Sequence, residues 1–153
     1  MALGWIARHQ KRWLGLVGFS GGMEGNVCWQ SPKRWDENSL LTWLEHNYGG
    51  GTSPYVPFQR LPNEYWVEFH TLSKGAVKGK TDIILLSDGE IHLPSDVVED
   101  FNKWKTSNKV RVMGLMLGHH LRGGGMQKVL DECHGVSHIL STTDQGVQQA
   151  LSV

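Results

Sequence analysis

The segment TDIILLSDGE, residues 81–90, decides how the fold of this chain is interpreted. Its centre, Ile83, Ile84, Leu85 and Leu86, is an unbroken apolar run of the kind found in strands covered on both faces. Ser87 separates that run from Asp88, and the residues Ser-Asp-Gly-Glu predict a turn. The pattern therefore predicts a buried strand that delivers a carboxylate at its carboxyl end.

The rest of the second half alternates strands with helices. Val110–Leu117 and Val136–Leu140 predict two further strands, and Ser95 can cap a helix from Asp96 to about Lys105. This alternation predicts an α/β fold with a mostly parallel sheet and helices on both faces. Such sheets bind ligands beyond the carboxyl ends of their strands, which is where the sequence puts Asp88.

The first half predicts a second set of elements. Apolar spacing predicts a helix at the start with Leu3, Ile6 and Ala7 inward, and a later helix with Leu40, Leu41 and Leu44 inward. The predicted ranges here are a helix at Ala2–Arg12, strands at Leu14–Phe19 and Asn26–Trp29, a helix capped by Asp36 or Asn38 and running to about His46, and a loop at Gly49–Pro57. In the second half, a short helix at Gly125–Asp131 and a final helix capped by Thr143 complete the prediction.

Composition narrows the class of function. The chain has 153 residues, which predicts one domain over residues 1–153, and 15 basic residues balance 15 acidic ones. A net charge of zero disfavours a general nucleic-acid or membrane-surface binder. The two cysteines, Cys28 and Cys133, match no zinc motif and are typical of a reducing cytoplasm. No apolar run approaches the ~18 residues of a membrane span, and no signal peptide is evident.

Taken in order, these features resemble a von Willebrand factor A domain. RWLGLVGFSGG resembles the second strand of that family, and LLTWLEHNYGGGTSPYVPF resembles the helix and glycine-rich loop that deliver a metal-site threonine, here Thr52. DIILLSDGE is similar to the fourth strand, with Asp88 at the position of the metal-site aspartate. The resemblance implies a Rossmann-like sheet and a magnesium ion that binds a partner's carboxylate, with Ser53 and Ser87 as neighbours able to help through water.

The sequence departs from that family at its first strand. No aspartate of the chain begins an Asp-x-Ser-x-Ser motif, so we expect a domain that lacks its central first strand and is truncated at its N-terminus. Magnesium prefers about six oxygen ligands, and Thr52 with Asp88 would supply only two, so we expect weak binding. Buried backbone groups need partners, so two outcomes stay open. The flanking strands, Leu14–Phe19 and Asp82–Leu86, pair with each other, or a strand from a second copy, a separate chain or a removed N-terminal region fills the gap.

The resemblance also implies a partner. The chain is most similar to the bacterial group of CoxE and ViaA, whose members are thought to work with MoxR-type AAA+ ATPases, so we expect a protein-binding module rather than an enzyme. Two alternatives stay open: a small metal-assisted hydrolase that uses Asp88, Glu90 and the His119–His120 loop, and a strand-complemented structural subunit. The same loop could instead be a recognition loop, with His119 and His120 contacting the partner.

Overall fold

The computed structural model describes residues 2–22, 25–46, 51, 53–76, 81–87, 91–117 and 126–136. The chain has a mixed α/β fold and divides into two compact units, Met1–Lys78 and Gly79–Val153. The predicted parallel pairing is confirmed in the second unit, whereas the strands of the first unit pair antiparallel.

The first unit places a two-stranded hairpin among helices. Its elements are α1 (Ala2–His9), β1 (Leu14–Gly18), β2 (Asn26–Gln30), α2 (Glu37–Glu45), a π-helix (Val56–Tyr65) and α3 (Trp66–Leu72). In the β1–β2 register Gly15 lies opposite Trp29 and Leu16 opposite Cys28, so each pair shares one face of the hairpin.

Helices cover both faces of this hairpin. On the Trp29 face, the indole stacks on Phe69 of α3 at 5.2 Å between ring centroids and donates a 2.9 Å hydrogen bond to Glu68. On the opposite face, a Cβ built on Gly4 of α1 would lie 3.3 Å from Leu40 Cδ2 and 4.0 Å from Leu14 Cδ2. α1 therefore lies close to α2 and β1 here, and a methyl group at residue 4 would need only a small shift of the Leu40 side chain.

A buried glutamine fixes the path from β2 into α2. The side chain of Gln30 is 1% exposed; it accepts from the Asp36 N–H at 2.8 Å and donates to the Asp36 carbonyl at 3.0 Å. Asp36 then caps α2, because its carboxylate accepts from the backbone N–H groups of Asn38 and Ser39. The predicted capping role of Asp36 is therefore confirmed.

The π-helix begins inside the segment predicted as a loop. A π-helix has hydrogen bonds between residues five apart, and here the Trp66 N–H donates to the Leu61 carbonyl. Pro62 lies in its interior, where the ring would collide with a carbonyl four residues earlier in an α-helix. A wider turn relieves that collision, so the proline accounts for the departure from α-helical geometry.

The second unit contains the parallel sheet. Its elements are β3 (Asp82–Ser87), α4 (Ser95–Asn108), β4 (Arg111–Leu117), a short 3₁₀ turn (Met126–Lys128) and β5 (Glu132–Val136). The strand order is β3-β4-β5, and both pairings are parallel. The strand and helix predicted around residues 81–117 are thus confirmed.

Several sequence predictions about this unit were wrong in detail. Leu86 is 50% exposed, so β3 is not buried on both faces. The last strand begins at Glu132 rather than Val136, because the Asp131 N–H bonds the Val112 carbonyl at 2.8 Å and starts the ladder with β4 there. Ser95 is the first residue of α4, and Pro94 precedes it without a side-chain cap.

The inward faces of the first two helices were also partly mispredicted. Ala7 and Leu40 are buried as expected, but Leu3, Ile6, Leu41 and Leu44 are each more than two-fifths exposed. Gly4 and Ala7 make the inner contacts of α1. A glycine and an alanine occupy little space, so the helix can lie close to its neighbours.

Candidate functional site

The carboxyl end of β3 is the part of the predicted site that the structure describes best. Ser87, the last residue of β3, is buried, and it lies opposite Met116 of β4. Met116 in turn lies opposite Gly135 of β5, so the three strands reach the same edge of the sheet in register. Asp88 and Glu90 follow Ser87 in the sequence but lie outside the described residues.

The chain that leaves this edge is anchored on its far side. Ile91 is 1% exposed and Leu93 is 4% exposed, and α4 begins two residues later at Ser95. Burial of these two apolar side chains, at a typical ~2 kcal/mol each, fixes where the chain returns to the body of the unit. Ser87 and Ile91, the described residues on either side of Asp88 and Glu90 in the sequence, are therefore both buried.

Ser53, the other predicted neighbour of the site that is described, belongs to the first unit. Its backbone N–H donates to the Ser20 carbonyl at 3.0 Å, and its hydroxyl accepts from the Tyr55 N–H at 3.3 Å. These bonds fix the chain just before the π-helix beside the residues that follow β1. Thr52 lies outside the described residues.

The predicted recognition loop follows β4 in the sequence. β4 ends at Leu117, and His119 and His120 lie outside the described residues. His134 lies on β5, where its Nε2 is 3.6 Å from a Glu132 carboxylate oxygen. Glu132 also pairs with Arg111 of β4.

Within the described part of the chain, no group of three or more histidine, cysteine, aspartate or glutamate side chains is arranged to hold a metal ion. Of the six residues proposed for the site, only Ser53 and Ser87 are described, one in each unit. Hydroxyl groups alone form a poor magnesium site, since the ion usually takes at least one carboxylate.

A different polar group, not anticipated from the sequence, organises the opposite end of the sheet. Lys105 of α4 donates 2.9 Å bonds to the Val129 carbonyl and to the Asp131 carboxylate, which accepts a 2.8 Å bond from the Val112 N–H. Burial raises the pKa of Asp131, but the Val112 N–H and the Lys105 ammonium outweigh burial and hold this pKa below its ordinary value. In the sequence Asp131 was only the last residue of a predicted short helix.

We interpret this Lys105–Asp131 pair as structural. Both Asp131 oxygens are occupied, one by the Lys105 ammonium and the other by the Val112 N–H. Asn102 adds a 3.0 Å bond to the Lys128 carbonyl, so α4 is joined to the segment that enters β5 at several points. The contacts fix the amino ends of β4 and β5, away from the edge that carries Ser87.

Comparison of the chain with protein-family models, with curated protein sequences and with solved structures found no match. The described residues contain no helix that is long and apolar enough to cross a membrane.

Proposed function

We propose that this chain is a protein-binding module of the von Willebrand factor A type, and that it binds its partner at the carboxyl edge of the parallel sheet. The observation that carries the proposal is the position of Ser87, buried at the end of β3 and in register with the ends of β4 and β5. Parallel sheets bind ligands at this edge, because the loops that leave it converge there.

The residues proposed to contact the partner are those that the resemblance to the von Willebrand factor A family implies, together with the histidine loop after β4. Asp88 supplies the carboxylate, with Thr52, Ser53 and Ser87 contributing hydroxyl groups, and the His119–His120 loop forms the rim. Magnesium is the ion that this set of oxygen ligands would take, with the weak affinity expected of an incomplete site. Support for the proposal is the strand order together with the apolar run that ends in Ser-Asp-Gly-Glu.

The proposed partner is a protein, and a MoxR-type AAA+ ATPase is the first candidate because of the sequence resemblance to the CoxE and ViaA group. We place the interaction in the cytoplasm, in keeping with two cysteines whose spacing fits no metal motif. Cys28 is buried and Cys133 is exposed, and neither forms a disulfide among the described residues.

The experiment is a binding titration of the immobilised chain with a purified MoxR-type ATPase in magnesium buffer. We expect saturable binding that falls at least tenfold in Asp88→Ala, because the substitution removes the carboxylate from the binding edge. The matched control is Asp96→Ala, which removes an exposed carboxylate from the first turn of α4 and should bind as the unmodified chain does. Equal binding by the two variants, or none by the unmodified chain, would contradict the proposal.

A further inference from the structure

Cationic side chains from two separate segments meet at one end of the hairpin in the first unit. β1 begins at Leu14 and β2 ends at Gln30, and these two residues lie opposite each other in the antiparallel register. The chain that enters β1 and the chain that leaves β2 are therefore neighbours at this end. We call this end of the hairpin the basic end; its exposed cationic side chains are Lys11, Arg12, Lys33 and Arg34.

Hydrogen bonds fix the backbone that carries these cations. After α1, the Lys11 N–H donates to the Arg8 carbonyl at 3.1 Å, and Lys11 has a φ angle of 54°. After β2, the Arg34 N–H donates to the carbonyl and the hydroxyl oxygens of Ser31, at 3.2 and 3.0 Å, across a turn that contains Pro32. A ligand that binds both segments therefore finds them already ordered, which lowers the entropic cost of binding.

Three carboxylates belong to elements beside the basic end, and each has its own partner. Glu37 pairs with Arg8, and the Asp36 carboxylate caps α2. Glu68 accepts a hydrogen bond from the Trp29 indole, on the other face of the hairpin from α1. These acids reduce the positive potential around the basic end.

The cations nevertheless outnumber those acids. With Arg8 included, five cationic side chains stand against the three carboxylates. In the described parts of the chain, no aspartate or glutamate forms an ion pair with Lys11, Lys33 or Arg34. The zero net charge of the whole chain disfavours a general affinity for polyanions, but a local excess of cations still attracts one.

An exposed aromatic pair borders the basic end. Trp5 and His9 of α1 stack with 5.1 Å between ring centroids and planes 5° apart, and Trp5 is 67% exposed. His9 precedes Lys11 by two residues, and a Cβ on Gly4 would lie 3.6 Å from Trp35, which directly follows the turn after β2. Since His9 covers one face of the indole, the exposed area leaves the other face open to a second flat ring.

We propose that the basic end binds single-stranded nucleic acid, with phosphates on Lys11, Lys33 and Arg34 and a base stacked on the open face of Trp5. A single strand exposes the flat faces of its bases, whereas a duplex covers them within its own stack. Cations beside an aromatic side chain are a general means of binding such strands without sequence preference. This surface belongs to the first unit and needs no metal ion, so its failure and that of the carboxyl edge of the parallel sheet are distinguishable.

The test is the fluorescence anisotropy of a labelled oligo(dT) strand titrated with the full chain in the presence of chelator. Three phosphate contacts with a single strand predict a Kd that rises about fourfold for each doubling of the salt concentration. Lys33→Ala should weaken binding and lower that factor to about threefold, because one phosphate contact is lost. The matched control is Lys103→Ala, which removes the same charge from an ion pair with Glu99 in the second unit and should leave binding unchanged.

Two substitutions on α1 separate base stacking from apolar contact. Trp5→Leu keeps an apolar side chain but removes the ring, so it should weaken oligo(dT) binding by about fivefold or more. Ile6→Ser changes a side chain that is 42% exposed on the same helix and should bind as the unmodified chain does. Urea unfolding of each variant checks that it is folded.

Several outcomes would overturn the proposal. The first is no saturable oligo(dT) binding at low salt, and the second is equal binding by Lys33→Ala and Lys103→Ala. Tighter binding to the duplex of oligo(dT) with oligo(dA) would show that base faces are not bound. Binding to vesicles of phosphatidylcholine and phosphatidylserine that Ile6→Ser abolishes, without binding to oligo(dT), would assign the basic end to a membrane surface instead.

Discussion

Gly15 shows how one residue decides the packing of the hairpin. A Cβ at this position would lie 2.4 Å from Trp29 Cζ3, far inside normal contact distance. The absent side chain lets the Trp29 indole lie flat across β1, where it stacks on Phe69 and bonds Glu68. An aromatic side chain covering a cross-strand glycine is a recognised way to stabilise such pairs.

We expect Gly15→Ala to destabilise the chain by about 1–3 kcal/mol, since the added methyl displaces the Trp29 ring. Urea unfolding followed by tryptophan fluorescence measures the change. Gly4→Ala is the matched control, because its Cβ meets the flexible end of Leu40 at 3.3 Å and has ordinary contacts with Trp35 and Leu14 at 3.6 and 4.0 Å. Alanine also favours the helix. Similar losses in the two variants would show that Trp29 is not held as described.

Gln30 is a buried polar residue whose side-chain amide forms hydrogen bonds through both its oxygen and its nitrogen. Its amide satisfies both the N–H and the carbonyl of Asp36. Gln30→Leu keeps the volume but leaves both backbone groups without their partner, which should cost about 1–3 kcal/mol of unfolding free energy. Thermal and urea unfolding test this, with the exposed Gln59→Leu as control. A loss below that of Gln59→Leu would contradict the pairing.

The lowered pKa of Asp131 predicts a pH dependence of stability. Because the folded pKa is below the unfolded value of about 3.9, the ionised form is favoured on folding. The stabilisation is present above that value and is lost as the pH falls through the folded pKa. Since the side chain is 38% exposed, we expect it to be below about 1 kcal/mol.

Asp131→Asn should therefore show a smaller drop in urea midpoint than the unmodified chain when the pH is lowered from about 6 to about 3. Asp100→Asn is the control, as an exposed α4 carboxylate that lies 3.9 Å from Lys103. An identical pH response of Asp131→Asn and the unmodified chain would mean that Lys105 and Val112 do not hold the charge.

At the scale of the element, helix ends explain several boundaries. Lys11, Lys74 and Lys109 follow α1, α3 and α4 and have positive φ angles between 51° and 55°. The left-handed conformation lets the N–H of Lys109 bond the last carbonyls of α4, at Lys105 and Thr106. A side chain in this conformation is strained, since it favours glycine.

Lys109→Gly should therefore stabilise the chain by about 1 kcal/mol. Ser107→Gly, two residues earlier within α4, should instead destabilise it by roughly 0.5 kcal/mol, because glycine is a poor helix former. Differential scanning calorimetry measures both. Destabilisation by Lys109→Gly would indicate that the lysine side chain supports the helix end.

At the scale of the whole molecule, a magnesium titration distinguishes an incomplete metal site, which we expect, from a complete one. We predict that calorimetric titration of the chelator-stripped chain with magnesium gives no saturable heat between micromolar and low millimolar ion, since Thr52 and Asp88 provide only two ligands. Saturable heat that disappears in Asp88→Ala would mean that other residues complete the site.

The sequence predicted strands and helices correctly where the apolar periodicity of neighbouring residues determines them. The apolar run at Ile83–Leu86 and the alternation around α4 predicted the strand, the helix and their α/β arrangement, because periodicity reports burial. It failed for the π-helix, where Pro62 changes the turn, and for β5, whose start is set by the ladder with β4. Thr52, Asp88, His119 and His120 stay predictions.

What the sequence by itself determined is the class of fold, α/β with a parallel sheet. Only the tertiary structure decided which apolar side chains are covered. Leu3 and Ile6 satisfy the same helical spacing as Ala7, yet Gly4 and Ala7 face inward. The reason is that the spacing of apolar residues defines an apolar stripe along a helix. The packing of neighbouring helices and strands then determines which residues of that stripe are buried.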